Sequence, residues 1–243
     1  MADVESIQIV AFLKGTPSLN ASVVWAEAFP GVAFANFLTP SLGYTSASAP
    51  FPDFQVELQC QAARIDLFVT PVPQQLPQPK PPSLVDFNAA RTAGVEAFKN
   101  LLKTQDAARL AVVIVARELV NNEEDAVNKL SSSLEFNLKP GARDTSFQIN
   151  IRKPSTQQPG LDFNRLCRWS AASMININVS QFVANAQLMT TGISSAIPVY
   201  VLQSYIDVNT DPAIQIDGSL REQLLDELSA EASSILNGGY GAL

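Results

Sequence analysis

The stretch QVELQCQAARIDLFVTP, from Gln55 to Pro71, decides how this chain is expected to fold. Its apolar residues occupy every second position in two runs, which are Val56, Leu58 and Cys60 and then Ile65, Leu67 and Val69. A repeat of two is the side-chain period of a β-strand that buries one face. The Ala62-Ala63 step between the runs predicts a bend or bulge between two strand segments.

Further strands are predicted on both sides of this stretch. They are IQIVAFL (7–13), the buried run ARLAVVIVARELV (108–120), TSFQINIRK (145–153) and IPVYVLQSYIDVN (197–209). The segment LDFNRLCRWSAASMININV (161–179) is long enough for a pair of strands. Runs of strands followed by a helix, seen twice, are typical of an α+β protein with mainly antiparallel sheets.

Helices are predicted at two places, and a third segment is ambiguous. A central helix is expected over 84–103, with Ser83 as its N-cap and Asp86 completing an imperfect capping box. NNEEDAVNKLSSSLEF (121–136) is either a helix or an acidic surface segment. An amphipathic C-terminal helix is expected over 220–236, with a capping box formed by Ser219 and Glu222. We expect the central and the C-terminal helix to pack on the sheet.

A proline-rich strap over 71–82 raises the question of a domain boundary. The strands before it have no helix long enough to cover them, and the helix after it has an apolar face that needs a sheet. We therefore divide the chain into halves, 1–138 and 139–243, and expect one continuous globular unit. The strap favours an extended polyproline conformation and serves as a stiff connector. Its alternative use is docking of an SH3-like partner, through the PxxP-like residues Pro77, Pro79, Lys80, Pro81 and Pro82.

The composition excludes several kinds of chemistry. The 243 residues contain no histidine, which removes Ser-His-Asp and Cys-His catalysis and most zinc sites. The sequence contains neither a phosphate-binding glycine loop nor a nucleophile elbow. No apolar run is long enough for a membrane span, and the N-terminal residues are acidic where a signal peptide is basic. We therefore expect a cytoplasmic protein that is not an enzyme and has no cofactor, no metal and no membrane partner.

One segment concentrates positive charge in a chain whose formal charge is −7. Residues 139–168 carry about +4, and the rest of the chain carries about −11. If these residues converge, they could hold phosphate or a nucleic-acid backbone; otherwise they keep a strand edge soluble and pair with acidic helices. The candidate binding residues are Arg143, Arg152, Lys153, Arg165, Arg168 and the neighbouring Trp169.

Two smaller patterns have structural explanations. The residues Asp207, Asn209 and Asp211 resemble the start of a calcium loop, but Pro212 stands where that loop requires glycine. A turn that leaves a strand uses the same residue types. Arg64 and Asp66 are two apart on one strand, so they share a face as a local ion pair or a functional pair.

The leading functional hypothesis is a non-enzymatic protein that acts through protein–protein contacts. It would be a subunit, adaptor or inhibitory partner of a larger assembly, with a bacterial defence or toxin–antitoxin system as a conceivable context. Its partner would be another protein or a second copy of the chain. The alternative is a nucleic-acid- or phosphate-binding module that uses the basic segment 139–168.

Overall fold

A computed structural model describes most of the chain. It covers residues 2–15, 19–39, 43–73, 80–134, 137–139, 141–184 and 187–243, and over 174–197 it describes the backbone alone.

Within the described ranges, nine strands form one antiparallel sheet. They are β1 (Asp3–Leu13), β2 (Asn36–Leu38), β3 (Thr45–Pro50), β4 (Gln55–Gln61), β5 (Arg64–Thr70), β6 (Ala107–Val120), β7 (Ser146–Pro154), β8 (Asp162–Ala184) and β9 (Gln187–Thr210). Their order across the sheet is β2-β3-β4-β5-β1-β6-β9-β8-β7. The first and sixth strands therefore lie side by side at the centre, where each has two hydrogen-bonded neighbours.

In the part of the chain that the structure describes, four α-helices accompany the sheet. They are α1 (Ala21–Ala28), α2 (Phe87–Leu102), α3 (Glu123–Ser133) and α4 (Arg221–Gly238). The predicted α+β class, the large antiparallel sheet and the C-terminal helix are confirmed. None of the helices in the described residues combines the length and the apolar character that crossing a bilayer requires.

A glycine allows α2 to lie close to the sheet. A Cβ atom on Gly94 would be 3.0 Å from Val69 Cγ2 and 3.5 Å from Ile9 Cδ1. Both of these side chains are fully buried and belong to the apolar set that alternates along β5 and β1. The face of the sheet that carries this set is therefore the face that α2 covers.

The other three helices contact the same face. The contacts are the Ala21 N–H of α1 with Thr45 Oγ1 in β3, Lys129 of α3 with Glu118 in β6, and Glu231 of α4 with Arg165 in β8. The strand registers place these three strand residues on the same face of the sheet as the buried apolar residues. All four helices thus lie on one face of the sheet, and we call the opposite side the open face.

The structure corrects three local predictions. The Ala62-Ala63 step is a two-residue hairpin turn, since Gln61 pairs directly with Arg64. The segment over 161–179 belongs to a single strand, β8, and does not form a strand pair.

The third correction concerns the helix caps. Asp86, not Ser83, caps α2 by accepting a hydrogen bond from the Ala89 N–H. No side chain caps α4 itself, so the predicted capping box of Ser219 and Glu222 is not formed. Asp217 instead caps a short 3-10 turn that precedes α4. A sequence with several adjacent Ser and Asp residues offers more than one possible cap, and the surrounding packing selects among them.

Candidate nucleic-acid interface on the open sheet face

Strand alternation divides the predicted basic segment between the two faces of the sheet. Arg165 and Arg168 are three residues apart on β8, so their side chains point in opposite directions. Arg152 and Lys153 are adjacent on β7 and are separated in the same way. Of these four, Arg152 and Arg168 lie on the open face, and Lys153 and Arg165 lie on the helix-covered face. The prediction of one basic patch did not take into account that neighbouring residues of a strand alternate between the two faces.

The two residues on the helix-covered face pair with one acid of α4. Arg165 Nη1 is 2.9 Å from Glu231 Oε1, and Lys153 Nζ is 2.5 Å from Glu231 Oε2. The Arg165 side chain is 6% exposed, and the Glu231 side chain is 10% exposed. This contact fastens the C-terminal helix to the sheet.

The remaining members of the predicted patch lie elsewhere. Trp169 is 5% exposed and packs in an aromatic group with Phe147 and Tyr240. Arg143 is exposed outside the sheet, with its Nε atom 3.7 Å from Glu123 Oε2. The predicted patch is therefore not one surface, and its role in binding stays a prediction.

The predicted docking segment is only partly described. Pro77 and Pro79 lie outside the described residues. Lys80 forms an ion pair with Asp3 at 2.8 Å, and the Pro82 carbonyl accepts a hydrogen bond from Arg117 at 3.0 Å. This end of the strap is therefore held next to the start of β1 and the last residues of β6.

The open face carries a cluster of arginines, aromatic rings and polar side chains across five neighbouring strands. We call it the open-face cluster; its members are Arg64 and Asp66 (β5), Gln8 and Phe12 (β1), Arg109 (β6), Tyr205, Asp207 and Asn209 (β9), and Asn164 and Arg168 (β8). Beneath them, Val10, Ala111 and Val113 are 3%, 5% and 6% exposed although no described helix covers this face. The long side chains around these three residues close over the middle of the face.

Arginines lie on aromatic rings at three points of this cluster. The Cζ atoms of Arg64 and Arg109 are 5.1 and 5.2 Å from the ring centroid of Phe12. The Cζ atom of Arg168 is 5.3 Å from the ring centroid of Tyr205. Such cation–π contacts orient a guanidinium while leaving its N–H groups free to donate.

One carboxylate of the cluster is neutralised internally. Asp66 is 1% exposed and accepts hydrogen bonds from Arg64 Nε and Nη2, each at 2.7 Å, and from Gln8 Nε2 at 2.7 Å. The hydrogen bond to Asp66 is the main reason that the pKa of Arg64 is raised. The predicted pairing of Arg64 with Asp66 is thus a bidentate ion pair, which fixes that arginine in place.

The second carboxylate belongs to a hydrogen-bonded chain. Asn209 Nδ2 donates to Asp207 Oδ1 at 2.9 Å, and Asn209 Oδ1 accepts from Arg109 Nη2 at 2.7 Å and from Asn164 Nδ2 at 3.2 Å. Burial raises the pKa of Asp207, while the hydrogen bond from Asn209 and the charge of Arg109 oppose that shift.

The calcium-like stretch does not converge on one point. Asp207 and Asn209 are bonded to each other, whereas Asp211 lies beyond the end of β9. There its carboxylate accepts from the Ala213 N–H at 2.9 Å and lies 3.3 Å from Arg152 Nη1. This is the geometry of a turn that leaves a strand.

Two arginines of the open face keep donors available. Arg168 is exposed, and among the described residues it has no carboxylate partner. The Nε atom of Arg109 also has no hydrogen-bond partner in the described part of the chain, but it is buried and out of reach of a surface ligand. The Arg152 side chain is 64% exposed, and its contact with Asp211 is a surface ion pair of the kind that contributes little to stability. These donors suit an anionic ligand such as a phosphate group.

The thiols of the two cysteines and the phenol of Tyr205 are held in their neutral forms. Burial raises the pKa of both Cys60 and Cys167 to about 12. Burial also raises the pKa of Tyr205, with the charge of Asp207 adding to it and those of Arg168 and Arg64 opposing it. At neutral pH the cluster therefore offers a protonated phenol, an aromatic ring and guanidinium donors, which is an arrangement for binding.

Phe12, Arg109 and Tyr205 are members of the open-face cluster that were not among the predicted site residues. Each stands in a strand whose apolar residues alternate with it, as in YIDVN, where Ile206 and Val208 are buried and Tyr205, Asp207 and Asn209 face the other way. Alternation could have placed each of these residues on the open face. The strand order, which brings β5, β1, β6, β9 and β8 together, has no comparable signal.

Comparisons with known proteins give little beyond this. No family model matches the sequence, and no curated protein matches it. Among solved structures, the chain is similar to a rolling circle replication initiator protein from Geobacillus stearothermophilus, with 15% identity and a TM-score of 0.31 over 98% of this chain and 83% of that one. These values are too low for the match to assign a function.

The leading functional hypothesis, a non-enzymatic subunit that acts through protein–protein contacts, is corrected at this point: the comparisons give it no support, and it is not kept.

Proposed function

We propose that the protein is a nucleic-acid-binding module that holds a single strand on its open face and catalyses no reaction. The observation that carries the proposal is the pairing of Arg168 with Tyr205. It combines an exposed guanidinium with an aromatic ring on a sheet face that no described helix covers.

General chemistry supports this use of an open sheet. Single strands are bound by sheet faces on which aromatic rings stack bases while arginines contact the backbone. On this face Arg168, Arg152 and Arg109 come from three different strands, so their donors are spread over the surface. A flexible single-stranded nucleic acid can place successive phosphates at separate donors, and it does not need one deep pocket.

The charge distribution is compatible with this proposal despite the net charge of −7. Asp66 is fully engaged by Arg64 and Gln8, and Glu231 is engaged on the other side of the sheet. The acidic first turn of α3 lies on the helix-covered side as well. These acids therefore leave no unpaired negative charge on the proposed surface, where Asp207 is the remaining acid of the open-face cluster and is hydrogen-bonded to Asn209.

Fluorescence anisotropy with labelled single-stranded DNA and RNA oligonucleotides at several salt concentrations tests the proposal. We expect affinity to fall as salt rises, by about 0.7 logarithmic units per phosphate contact for each tenfold increase in salt. Arg168→Glu should weaken binding and reduce that salt dependence by about one contact.

A matched control is available at the C-terminal end of α2, where Lys103 is the residue that follows the helix. Lys103→Glu changes the charge of the chain by the same amount at an exposed site on the helix-covered side. It should leave the affinity close to that of the unaltered protein. Absence of binding at low salt, or equal losses from Lys103→Glu and Arg168→Glu, would refute the proposal.

A further inference from the structure

The hairpin formed by β8 and β9 extends well beyond the rest of the sheet. β7 pairs with β8 no further than Ser170, and β6 pairs with β9 no further than Tyr200. Past these points β8 and β9 pair with each other from Met174↔Val199 to Ala184↔Gln187. We call the two paired segments, 174–184 and 187–199, the hairpin arm. Eleven residues of β8 in this arm, at about 3.3 Å each, span roughly 36 Å.

The arm has two open edges. Within the described residues, each of its strands pairs only with the other. Each edge therefore presents a row of backbone N–H and C=O groups to which another strand can add. A hairpin of two strands is only marginally stable in water, and a third strand is the usual source of additional stability.

The other edges of the sheet are protected in the usual ways. On one side the outermost strand, β2, is only three residues long. On the other side β7 carries Arg152 and Lys153 and ends at Pro154. Short strands, basic side chains and proline are devices that prevent pairing between edges.

The arm has almost none of these devices. The sequence between Arg168 and Asp207 contains no aspartate, glutamate, lysine, arginine or histidine. Its one proline, Pro198, lies at the base of the arm, where it pairs with Ile175. The chain thus protects the edges of its main sheet and leaves the longest pair of edges unprotected.

We propose that the hairpin arm pairs edge to edge with the arm of a second copy of this chain. Two identical edges can pair antiparallel about a two-fold axis, so that where residue i of one arm pairs with residue j of the other, residue j of the first pairs with residue i of the second. No charged side chain opposes the approach, and the joined sheet would have at least four strands in the arm. None of the residues of the proposed nucleic-acid interface lies in the hairpin arm, so pairing of the arms does not depend on nucleic-acid binding.

Light scattering coupled to size-exclusion chromatography of the full chain, over a wide range of protein concentrations, tests this proposal. The expected mass is at least twice that of one 26.2 kDa chain at the higher concentrations. A variant in which Asn-Gly replaces residues 174–199 joins Ser173 to Tyr200, which are already register partners. Asn-Gly suits a two-residue hairpin turn, and this variant should have the mass of a single chain throughout. Because it keeps Arg168 and Tyr205, its oligonucleotide binding reports separately on the proposed function.

Single cysteine substitutions provide a second measurement. Cys60 and Cys167 are buried, so Asn176→Cys, Asn178→Cys and Ser180→Cys each introduce a thiol that is free to cross-link between arms. We expect disulfide-linked dimers from at least one of them and none from the control Lys103→Cys, directly after α2.

Three results would overturn the proposal. The first is a single-chain mass for the full chain at every concentration. The second is assembly of the shortened variant to the same extent as the full chain. The third is assembly that occurs only with phosphatidylcholine–phosphatidylglycerol vesicles, which would make a lipid surface the partner of the arm.

Discussion

The guanidinium of Arg168 lies over the ring of Tyr205, with 5.3 Å between Cζ and the ring centroid, and the two residues are register partners on β8 and β9. Cross-strand partners are the closest neighbours on one face of a sheet, so the contact is set by the backbone. Burial keeps the pKa of Tyr205 above its ordinary value although the charges of Arg168 and Arg64 oppose this. The phenol is therefore neutral at physiological pH, so it adds no negative charge that would repel a phosphate.

The first prediction separates the ring of Tyr205 from its hydroxyl group. Tyr205→Phe should retain oligonucleotide affinity, because the ring that stacks on a base remains. Tyr205→Ala should weaken binding by about 1–3 kcal/mol, which is the usual contribution of one stacked base. Anisotropy titrations at low salt measure both, with Phe37→Ala on the outer strand β2 as an aromatic control. Equal affinity of Tyr205→Ala and the unaltered protein would show that the ring does not bind bases.

The second prediction compares the two basic side chains, Arg165 and Lys153, that form ion pairs with Glu231. Arg165→Ala leaves a carboxylate that is 10% exposed with only the partly exposed Lys153, so it should lower the free energy of unfolding by about 3–5 kcal/mol. Lys153→Ala removes a side chain that is 44% exposed and should cost about 0–1 kcal/mol. Urea unfolding of the two variants provides the comparison. If both cost the same, burial of Arg165 is not what makes its ion pair important.

The third prediction concerns the turn between β4 and β5. Ala63 has φ of 57°, in the left-handed region that costs a non-glycine residue about 1–2 kcal/mol. Ala63→Gly should remove that strain and, after its own entropic cost of about 0.5–1 kcal/mol, give a small net stabilisation. Ala62→Gly has the same entropic cost without the strain to relieve, and it should destabilise. Thermal melting of the two variants should therefore give shifts of opposite sign.

The sequence contains most of the information about the strands and little about how they meet. The alternation in Gln55–Pro71 predicts β4 and β5, and the same rule applied to Arg165 and Arg168 would have placed them on opposite faces. By contrast, the contact of Phe12 with both Arg64 and Arg109 depends on β1 lying between β5 and β6. That order follows from long-range pairing, for which local patterns carry no signal.

The predicted basic patch illustrates the same limit. Lys153 and Arg165 are drawn to Glu231, which lies 66 or more residues further along the chain. A count of charges within 139–168 cannot anticipate a partner on the C-terminal helix. Tertiary pairing thus removed part of the apparent positive charge from the surface and left Arg168 and Arg152 on the open face.

The last prediction uses the carboxylate that lies between Tyr205 and Asn209. Burial raises the pKa of Asp207 above its ordinary value of 3.8 in the folded protein, so the folded state binds this proton more tightly than the unfolded state does. The charged form therefore costs stability above the folded-state pKa, and this cost is relieved as pH falls through that pKa towards 3.8. Asp207→Asn should be more stable than the unaltered protein near neutral pH, and the difference should shrink as pH falls.

Oligonucleotide affinity should depend on the protonation of the same carboxylate, because Asp207 lies in one group with Tyr205, Arg109 and Arg168. Protonation removes a negative charge from this surface, so oligonucleotide affinity should rise as pH falls between about 7 and 4, and Asp207→Asn should flatten that rise. Urea unfolding and anisotropy titrations across this range measure the two effects. Glu124→Gln, in the exposed first turn of α3, removes one acid outside the cluster and should leave both profiles unchanged. A pH profile for Asp207→Asn that matches the unaltered protein in both measurements would place the responsible proton elsewhere.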